Sequence, residues 1–543
     1  GTERPQTVPA FHYEAAPGEA EGGSLNVPWS QVVSTSVVGV LARDRGAQAP
    51  GRLVASAKSW LCHAGVDRRA RILPWHGAED VQRLSPVEVT ARYLAHMRCA
   101  WNEAHPDHGL ENQETVVTIP ASFDEVAREL TAAAIVQAGF GRVTLLEEPQ
   151  AAFYAWMASH AGEWKSCLRP GQWVLVCDVG GGTTDFTLVE TVEDGNGGVN
   201  FRRVAVGDHL ILGGDNLDLA LAHHVEPRLA GGGKLPARQW SVLVRLCCQA
   251  KERLLWDPAP ESLTISLPSM GSRLIGGSLR TEVTRAEVET LLLDGFLPRV
   301  SMDSVPMRGA SGFREFGLPY AADAAITRYL AEFLKRHAVR PPEAVLLNGG
   351  FFESSALRNR LLEILADWLG EGKFQTLRND RLDMAVARGA AYYGLVRRGR
   401  GVRIAAGLPR AYYVGVADSR GRLSAVCVAP SGLEEGSEIV VPGKSFELLL
   451  RQPAEFTLYA STLRTTDAPG DVVEIDPNHL TALPTMRTVL KTSRKASRSS
   501  VQVQLTCRVT EIGTFEVSCR EVDGDRQWPL QFDLRPRPDS PAD

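Results

Sequence analysis

The sequence WVLVCDVGGGTTDFTLVE, residues 173–190, decides the fold of this chain. It contains two apolar runs separated by the three glycines 180–182, a pattern that predicts two buried strands joined by a tight turn. Asp178 ends the first predicted strand and Asp185 begins the second. Two carboxylates are therefore expected at the mouth of a glycine turn.

The residue types of this turn suit the binding of a phosphate group. Because glycine lacks a Cβ atom, the backbone N–H groups of Gly180, Gly181 and Gly182 can close around an anion. Carboxylates on both sides of the turn can hold a hydrated Mg²⁺ beside that anion, and Thr183 adds a hydroxyl at the height of a phosphate. The loop differs from a GxGxxG motif and from a P-loop. We interpret it as a nucleotide-phosphate loop; the alternative is a glycine-rich hairpin with incidental acidic residues.

Length and composition limit the remaining possibilities. At 543 residues the chain is too long for one core, so two to four domains are expected. The net charge of −5 gives no electrostatic reason to expect nucleic acid or an anionic membrane as a partner. The sequence shows no apolar run long enough for a membrane span and no signal peptide. Nine scattered cysteines indicate free thiols in a reducing compartment, so we expect a cytoplasmic protein.

Two strand-to-helix joints precede the glycine turn. Ser85 and Glu88 form a predicted capping box for a helix over 87–103. Residues 114–121 read as a buried strand, after which Ser122 and Glu125 form a second predicted capping box.

A third joint carries a carboxylate. A predicted strand over 143–148 is followed by Pro149, which starts a helix. Glu148 therefore lies at a strand end and is expected to point into the cleft beyond the sheet. The alternative is that Glu148 is a partner for the helix dipole.

Two glycine pairs follow the turn. GDHLILGGDNL (207–217) contains Gly213 and Gly214, and a predicted strand over 344–347 leads to Gly349 and Gly350. Bare backbone between a strand and a helix lets the edge of a nucleoside lie close to the chain. We expect Asp215 and Asp218 to cap a helix, and Ser355 to cap the helix after the second pair.

The composition changes near residue 397. RRGRGVRIAAGLPR (397–410) is a basic, glycine-rich linker. From Ala411 onward, short alternating strands separated by turn residues predict a β-sandwich. The predicted strands are YYVGVAD, LSAVCVAP, SFELLLRQ, AEFTLYAST, VQVQLTCRV and TFEVSCREV.

Several motifs, in order, resemble those of the Hsp70 chaperones of the actin-like ATPase superfamily. The pattern D-x-G-G-G-T-x-D of 178–185 resembles their second phosphate loop, and EPQAAFYAW (148–156) resembles their E-P-x-A-A-x-x-Y motif. GDHLILGGDNL, CQAKERLL, DMAVARGAAYYG and IGTFEVS (512–518) resemble later motifs of the family, so that the resemblance covers nearly all of residues 1–535.

The resemblance implies a multidomain chain. An α/β actin-like ATPase domain, which is ribonuclease H-like, is followed by an all-β sandwich substrate-binding domain without a helical lid. The implied boundaries are 1–396 for the nucleotide-binding domain with a small lobe at about 228–310, 397–410 for the linker, 411–535 for the sandwich and 536–543 for a tail.

It also implies roles for individual residues. ATP or ADP would bind with Mg²⁺ between two lobes, and Asp178 and Asp185 would hold the metal through water. Pro120 and Arg128 would relay the nucleotide state to the second domain, the alternative being a plain strand–helix connection. The implied catalytic residues are Lys58, Glu148, Asp178 and Thr183, and the implied nucleotide-binding residues are Gly180, Gly181, Gly182, Thr183, Gly213, Gly214, Lys251, Gly349, Gly350 and Asp383.

The chain departs from the family pattern at the nucleoside end. Around Lys251 the expected Glu and Ser are replaced by Cys248 and Leu255. Phe351 and Glu353 replace the Ser and Arg of the family motif G-G-S-x-R, which predicts a more apolar adenine slot. Asp383 would line the nucleoside end, with helix capping as its alternative role.

The first phosphate hairpin of the family, D-x-G-T-x-x-S, occurs nowhere before Lys58. Either the chain is shortened at its N-terminus or the protein lacks the hairpin; in both cases we expect poor ATP hydrolysis, because preorganised phosphate donors contribute roughly 10²–10³ in rate each. Enzyme activity is therefore left open.

The expected function is that of an Hsp70-like ATP-dependent chaperone. It would bind unfolded or extended polypeptides and work with J-domain and nucleotide-exchange co-chaperones, without nucleic acid or membrane partners. The alternatives are a non-hydrolysing nucleotide-sensing regulator or partner-docking scaffold, and a small-molecule kinase of the same superfamily, against which the β-rich region 411–535 counts.

Overall fold

The computed structural model describes most of the chain. The described residues are 7–30, 33–63, 65–75, 77–193, 199–256, 258–268, 278–307, 318, 320–402, 404–405, 407–408, 410–417, 423–434, 436–443, 445–450, 452–464, 466–489, 500–510 and 514–532. The predicted tail 536–543 and the first residues of the predicted motif at 512–518 lie outside them.

Residues 7–405 contain alternating helices and strands. The helices are α1 (Val40–Gln48), α2 (Ala57–Trp60), α3 (Pro86–Ala104), α4 (Glu125–Gln137), α5 (Glu148–Ser159), α6 (Trp164–Cys167), α7 (Gly214–Leu229), α8 (Ala237–Leu255), α9 (Arg285–Phe296), α10 (Ile326–His337), α11 (Ser355–Leu369) and α12 (Leu382–Arg397). The strands are β1 (Phe11–Glu14), β2 (Ser36–Val38), β3 (Leu53–Ala55), β4 (Glu114–Ile119), β5 (Arg142–Glu147), β6 (Trp173–Val179), β7 (Thr184–Glu193), β8 (Val199–Val206), β9 (Ser262–Pro268), β10 (Ser278–Thr284), β11 (Ala344–Asn348), β12 (Gln375–Leu377) and β13 (Ile404–Ala405).

A six-stranded sheet forms the centre of this region, in the order β12-β11-β6-β7-β8-β13. Strands β6 and β7 are antiparallel, whereas β11 runs parallel to β6. Every residue of β6 is buried, which explains why its first five residues are an uninterrupted apolar run rather than an alternating one. Smaller sheets accompany it: β4 pairs with β5 in parallel, β9 with β10, and β1 lies between β2 and β3.

Both faces of β6 contribute to hydrophobic cores. Leu175 and Cys177 pack on one face with residues of α7 to α11, and Val174 and Val176 pack on the other with residues of α5 and α12. Helices α5 and α12 approach so closely that a Cβ atom on Gly389 would lie 1.6 Å from the Ala151 carbonyl oxygen. The sheet is therefore covered by helices on both sides, as in other α/β folds.

Residues 411–532 are all-β where the structure describes them. The strands are β14 (Ala411–Ala417), β15 (Leu423–Ala429), β16 (Glu438–Val440), β17 (Phe446–Leu449), β18 (Pro453–Phe456), β19 (Leu458–Ser461), β20 (Val472–Glu474), β21 (Thr481–Ala482), β22 (Met486–Val489), β23 (Ser500–Val509), β24 (Phe515–Glu521), β25 (Gln527–Pro529) and β26 (Gln531–Phe532).

These strands form two larger sheets and a smaller one. One has the order β20-β15-β14-β19-β21, another has β16-β23-β24-β25 with β17 also on β23, and the third has β18-β22-β26. The first two sheets share a core in which Val414 and Val426 of one meet Leu505 and Val517 of the other. Two antiparallel sheets around one apolar core match the predicted sandwich architecture.

The all-β region contacts α4. Tyr412 donates a hydrogen bond to Glu125 Oε1 at 2.6 Å, and the backbone N–H of Phe515 donates to Oε2 of the same carboxylate at 3.3 Å. Within the predicted linker, β13 joins the six-stranded sheet in parallel with β8. None of the described helices is long and apolar enough to cross a membrane.

Some local predictions hold and others are wrong. The capping box of Ser85 and Glu88 is confirmed. The predicted box of Ser122 and Glu125 is wrong, because Asp124 caps α4 by accepting a hydrogen bond from Ala127 N at 2.7 Å. The predicted cap Ser355 is also wrong, because Ser354 caps α11. At the start of α7 the side chain of Asn216, and not that of Asp215 or Asp218, accepts a hydrogen bond from the backbone N–H of Gly213.

Candidate functional site

The glycine turn joins β6 to β7 as the sequence predicts. Asp178 lies directly opposite Asp185 in the register of the hairpin, and the turn closes with a hydrogen bond from Gly180 N to the Thr183 carbonyl oxygen at 2.9 Å. Both carboxylates are buried, as is the Thr183 side chain. Two acids of like charge therefore face each other at the end of a tight hairpin.

The first of the two later glycine pairs holds this turn from the other side. Gly214 N donates to the Gly180 carbonyl oxygen at 3.0 Å, and Asp215 N donates to that of Gly181 at 2.7 Å. A Cβ atom on Gly213 would lie 2.6 Å from both of these carbonyl oxygens. Gly213 is thus required for the start of α7 to pack against the backbone of the glycine turn. The structure therefore brings the predicted segments 180–182 and 213–214 together.

Lys58 and Glu148 meet beside the hairpin. The Lys58 ammonium group donates to both carboxylate oxygens of Glu148, at 2.7 and 2.8 Å. Burial alone would lower the pKa of Lys58, but Glu148, and then Asp185 and Asp178, outweigh burial and raise it. These pKa effects mean that all four predicted residues lie within electrostatic reach of one another, although they come from three separate segments.

The acids carry more negative charge than Lys58 neutralises. Burial, followed by the charges of Glu148 and Asp185, raises the pKa of Asp178 to about 7, while Lys58 and a hydrogen bond from Asn348 oppose that rise. Asn348 Nδ2 donates to Asp178 Oδ1 at 3.1 Å. Burial also raises the pKa of Asp185, and its Oδ1 atom has no hydrogen-bond partner within the described residues. The site therefore favours a bound cation.

Gly349 and Gly350 play different parts at the end of β11. Gly349 has a φ of +91°, and a Cβ atom there would lie 2.1 Å from the Val179 carbonyl oxygen and 3.0 Å from Asp178 Oδ1. A Cβ atom on Gly350 would meet nothing within 4 Å. Gly349 is therefore needed for the chain to pass the hairpin of Asp178 and Asp185, whereas Gly350 faces open space.

Lys251 lies near the glycine segments but is occupied by protein groups. Its ammonium group is 2.7 Å from Asp218 Oδ1 and donates to the Gly214 carbonyl oxygen at 3.1 Å. The helix residue Asp218, which we expected to be a cap, is instead the counter-ion of this lysine. The hydrogen bond to Gly214 places Lys251 beside the Gly213–Gly214 pair. A direct contact of Lys251 with a nucleoside stays a prediction.

Asp383 is bound to a neighbour in sequence. Arg381 donates to both of its oxygens, at 2.8 and 2.7 Å, and lowers its pKa. Arg381 is the residue that precedes α12, so Asp383 lies in the first turn and not at the cap position. Its side chain does not cap α12, and its contact with a nucleoside stays a prediction.

Sequence reasoning missed two residues that complete the site. The Ser122 hydroxyl is 2.6 Å from His209 Nδ1, and Ser122 opposes the rise in the pKa of Asp185. Asn348, the last residue of β11, was given no role in the sequence analysis. Polar residues at or shortly after the ends of strands, as Asn348 and Ser122 are, gave the available signal.

The predicted relay residue Arg128 lies in a separate ion-pair network. Arg128 Nη2 is 2.7 Å from Glu147 Oε1, and Arg203 pairs with the other oxygen of Glu147 while also donating to the Gly407 carbonyl oxygen. Glu147 directly precedes Glu148. The network therefore connects the linker to Glu147, the residue next to Glu148 in sequence.

Comparison with known proteins gives an independent view. Residues 63–302 match the family model described as Hsp70 protein. A chaperone protein HscA homolog of Pseudomonas paraeruginosa is 32% identical over 215 residues, which cover 39% of this chain and 30% of the relative. The heat shock 70 kDa protein BIP3 of Oryza sativa subsp. japonica is 32% identical over 206 residues, with 35% and 29% covered.

A longer match extends to more than half of the chain. A chaperone protein HscA homolog of Bordetella petrii is 30% identical over 291 residues, or 52% of this chain and 42% of the relative. The chain thus spans less than half the length of the curated relatives it matches. The residues matched by the family model include Glu148 and the hairpin of Asp178 and Asp185, which the structure unites in one site, so this segment of the chain is similar to the Hsp70 family.

Proposed function

We propose that this chain is an Hsp70-like ATP-dependent chaperone that binds ATP or ADP with Mg²⁺ at the hairpin of Asp178 and Asp185. The observation that carries the proposal is the meeting of Lys58 and Glu148 with these two facing carboxylates. A lysine, a glycine turn and paired acids are the groups that a nucleoside polyphosphate with its metal requires.

The residues present fit a divalent cation. Asp178, Asp185 and Glu148 are three acids against one lysine, and Asp185 has a buried oxygen with no partner among the described residues. Within the described part of the chain, no three His, Cys, Asp or Glu side chains converge closely enough to bind a metal directly. Carboxylates that bind through the metal's water shell suit Mg²⁺, which keeps several waters.

Each residue then has a chemical task. Lys58 supplies the positive charge for the terminal phosphate, and Glu148 holds its ammonium group in place. Asp178 and Asp185 accept hydrogen bonds from water, and backbone N–H groups of the glycine turn cradle phosphate oxygens beside Thr183. The bound Mg²⁺ neutralises phosphate charge. The chain's contribution to hydrolysis is positioning and charge stabilisation, with little covalent chemistry.

The nucleoside is proposed to lie along the bare backbone of the two glycine pairs. Gly350 faces open space, and Gly214 lies near Lys251. Asp383 is the remaining proposed contact, and it would first have to exchange its bonds with Arg381. We propose residues 1–396 as the nucleotide-binding domain, with 397–410 as its linker.

The all-β region 411–535 is proposed to bind unfolded or extended polypeptide. Apolar side chains remain exposed on its strands: Val440 is 41% exposed, Leu449 51% and Val472 51%. Strand edges that carry exposed apolar side chains can accept an extended peptide by adding it to the sheet. J-domain and nucleotide-exchange co-chaperones are the proposed protein partners. The nine free cysteines support a reducing, cytoplasmic location.

Calorimetric titration of the full chain with Mg²⁺·ADP and Mg²⁺·ATP tests the nucleotide site. We expect the Asp178→Ala variant to lose binding while the surface variant Asp367→Ala, in which an exposed acid is removed, binds like the wild type. Equal affinity of both variants and the wild type would remove the assignment of the phosphate loop. Fluorescence anisotropy with a labelled apolar peptide tests the second domain, and equal binding of a charged control peptide would count against it.

A further inference from the structure

A cavity of about 290 Å³ lies between helix α3, strands β1 and β2, and the loop of residues 27–29. In the register of β1 and β2, His12 lies opposite Val38 and Glu14 lies opposite Ser36, so these four side chains share one face of the sheet. Arg92 of α3 contacts that face. Among the described residues, none of those proposed to bind nucleotide lines the cavity.

The remaining walls of the cavity suit a small, partly apolar ligand. Val27, Trp29 and Ala95 contribute apolar surface, and the Trp29 ring meets the His96 ring edge-on, with 4.9 Å between ring centroids. All four of these residues are partly exposed, so the cavity reaches solvent. Ligand sites usually measure roughly 300–1,000 Å³ and combine apolar walls with a few polar groups. This cavity therefore fits a ligand at the small end of that range.

The polar wall of the cavity is an ion pair joined by a hydroxyl group. Arg92 Nη1 donates to Glu14 Oε1 at 2.5 Å and to Ser36 Oγ at 3.1 Å. The Glu14 carboxylate is buried and neutralises the guanidinium group, so the pair brings no net charge to the cavity. All contacts of the Arg92 side chain with polar groups of the described residues are made by Nη1. The N–H groups at Nε and Nη2, and the proton of the Ser36 hydroxyl, are therefore left to donate.

His12 supplies an acceptor to the same wall. Its Nε2 atom is 2.8 Å from Glu14 Oε1, a distance at which an ionised carboxylate oxygen requires a proton on the nitrogen. Arg92 Nη1 is also 3.0 Å from Nε2, but its two protons are directed to Glu14 and Ser36. Burial lowers the pKa of His12, so the ring is neutral at neutral pH and carries only this one ring proton. Nδ1 is then a buried acceptor, and it has no partner among the residues that the structure describes.

We propose that this cavity is a binding site for a small aromatic carboxamide. The carbonyl oxygen of the ligand accepts hydrogen bonds from Arg92 and Ser36, and its N–H₂ group donates to His12 Nδ1. The planar ring lies on the apolar wall beside Trp29. A neutral amide matches a wall without net charge, whereas a carboxylate would bring a second anion close to Glu14 and a lone pair close to His12. The proposal does not depend on nucleotide binding.

Three probes of nearly the same shape test this assignment on the full chain: benzamide, acetophenone and benzoate. Acetophenone keeps the ring and the carbonyl oxygen but has a methyl group in place of the N–H₂ donor, and benzoate has a charged oxygen there. Titration followed by saturation-transfer NMR should give benzamide a dissociation constant on the order of 1 mM, as suits a fragment of this size. Acetophenone and benzoate should bind roughly tenfold more weakly, because each leaves the buried acceptor of His12 without a donor.

Substitutions on α3 locate the binding. Ala95→Trp places a ring in the cavity and should abolish benzamide binding. Met97→Trp adds the same ring to the same helix at a side chain that is 46% exposed and does not line the cavity, so its affinity should stay within about twofold of the wild type. Arg92→Lys keeps a positive charge for Glu14 but has no free guanidinium edge, and should bind benzamide roughly fivefold to tenfold more weakly.

Cys99 reports on the cavity in the unchanged protein, so the test does not depend on the folding of a variant. Cys99 lines the cavity and is partly exposed, whereas Cys248 is partly exposed on α8 and does not line it. Benzamide at about five times its dissociation constant should slow the modification of Cys99 by N-ethylmaleimide roughly sixfold. The modification rate of Cys248 should not change, and peptide mass spectrometry measures both rates.

The outcomes decide the assignment without reference to nucleotide. Equal affinity for the three probes, tighter binding of benzoate than of benzamide, or no protection of Cys99 by benzamide would overturn it. Unchanged binding by a folded Ala95→Trp variant would also overturn it, since the ligand would then lie elsewhere. Protection of Cys99 that follows the order of probe affinities supports it. The same assays repeated with Mg²⁺·ADP show whether the two sites are independent, and loss of ADP binding would count against the proposed function alone.

Discussion

Lys58 Nζ lies 2.7 Å from Oε1 and 2.8 Å from Oε2 of Glu148, so both oxygens of one carboxylate share one ammonium group. The lysine is in α2 and the glutamate begins α5. The same positive charge opposes the rise in the pKa of Asp178. Lys58 is therefore the counter-charge of the acidic site as well as the proposed contact for a terminal phosphate.

Lys58→Met should weaken ATP binding more than ADP binding. The proposed contact is with the terminal phosphate, which ADP lacks, and a charge-assisted hydrogen bond contributes about 1.5–3 kcal/mol, or roughly 10- to 100-fold in affinity. Calorimetry with both nucleotides in Mg²⁺ measures the ratio. Lys335→Met is the matched control, because Lys335 pairs with Asp303 on the surface. A loss of equal size for ATP and ADP would contradict the assigned contact.

Asp178→Asn should stabilise the protein above neutral pH. The pKa of Asp178 is raised from 3.8 to about 7 in the folded state, so the folded protein holds this proton where the unfolded chain has released it. The free energy of unfolding of the wild type must then fall as pH rises from about 4 to about 7. Asn cannot ionise, and it should raise the free energy of unfolding at pH 8 by roughly 2–4 kcal/mol.

Urea denaturation between pH 4 and pH 8 measures this effect. The difference between Asp178→Asn and the wild type should be small near pH 4 and reach its full size above pH 7. Asp383→Asn serves as the control. Its carboxylate is 40% exposed and its pKa is lowered by Arg381, so any change should be small and of opposite sign. A difference between Asp178→Asn and the wild type that does not vary with pH would contradict the raised pKa.

Gly349→Ala and Gly350→Ala should differ although the residues are adjacent. At Gly349 a new Cβ atom would collide with the Val179 carbonyl oxygen, and φ is +91°, so we expect a loss of roughly 2–4 kcal/mol in stability. At Gly350 the space is open, and the change should be about 0.5 kcal/mol or less. If Gly350 borders the nucleoside, its Ala variant should lose nucleotide affinity without losing stability. Thermal unfolding with and without ADP measures both effects.

The hairpin of Asp178 and Asp185 was predictable because its signals are local. Two apolar runs, three glycines and acids at both ends specify strands, turn and register within 18 residues of sequence. The observed strands reach slightly further into the turn than predicted, to Val179 and from Thr184. The pairing of Asp178 with Asp185 follows from that geometry without any distant contact.

The wrong capping predictions come from neighbouring polar residues that compete for one role. Ser122 and Asp124 are both suitable N-caps, and local sequence did not show that the Ser122 hydroxyl is engaged by His209, which is distant in sequence. Asp218 was predicted as a cap for the same reason, but it forms an ion pair with Lys251 on another helix. Tertiary contacts, which local patterns do not record, decided these cases.

In the linker, the local sequence predicted no strand where the structure has one. RRGRGVRIAAGLPR has the composition of a loop, yet Ile404 and Ala405 form β13 on the edge of the six-stranded sheet. A two-residue strand depends on the free edge of β8, not on its own propensity. Arg203 of β8 also donates a hydrogen bond to the carbonyl oxygen of Gly407.

The contact between the all-β region and α4 supplies a last prediction. Glu125 is buried, and burial raises its pKa; the opposing groups are, first, Arg128 and then the Tyr412 hydroxyl. Tyr412→Phe would leave the buried carboxylate without that hydrogen bond, at a cost of about 1–3 kcal/mol. The contact with α4 should therefore open more often and expose the linker.

Limited trypsin digestion measures that exposure, since the linker is rich in arginine. We expect Tyr412→Phe to be cut faster between residues 397 and 410 than the wild type. Tyr413→Phe is the matched control, because the Tyr413 hydroxyl bonds Asp467 inside the all-β region at 2.8 Å; it loses a hydrogen bond of the same kind without touching α4. Equal cleavage of the two variants would show that Glu125 does not hold the regions together, whereas faster cleavage of Tyr412→Phe alone assigns that role to a single buried carboxylate.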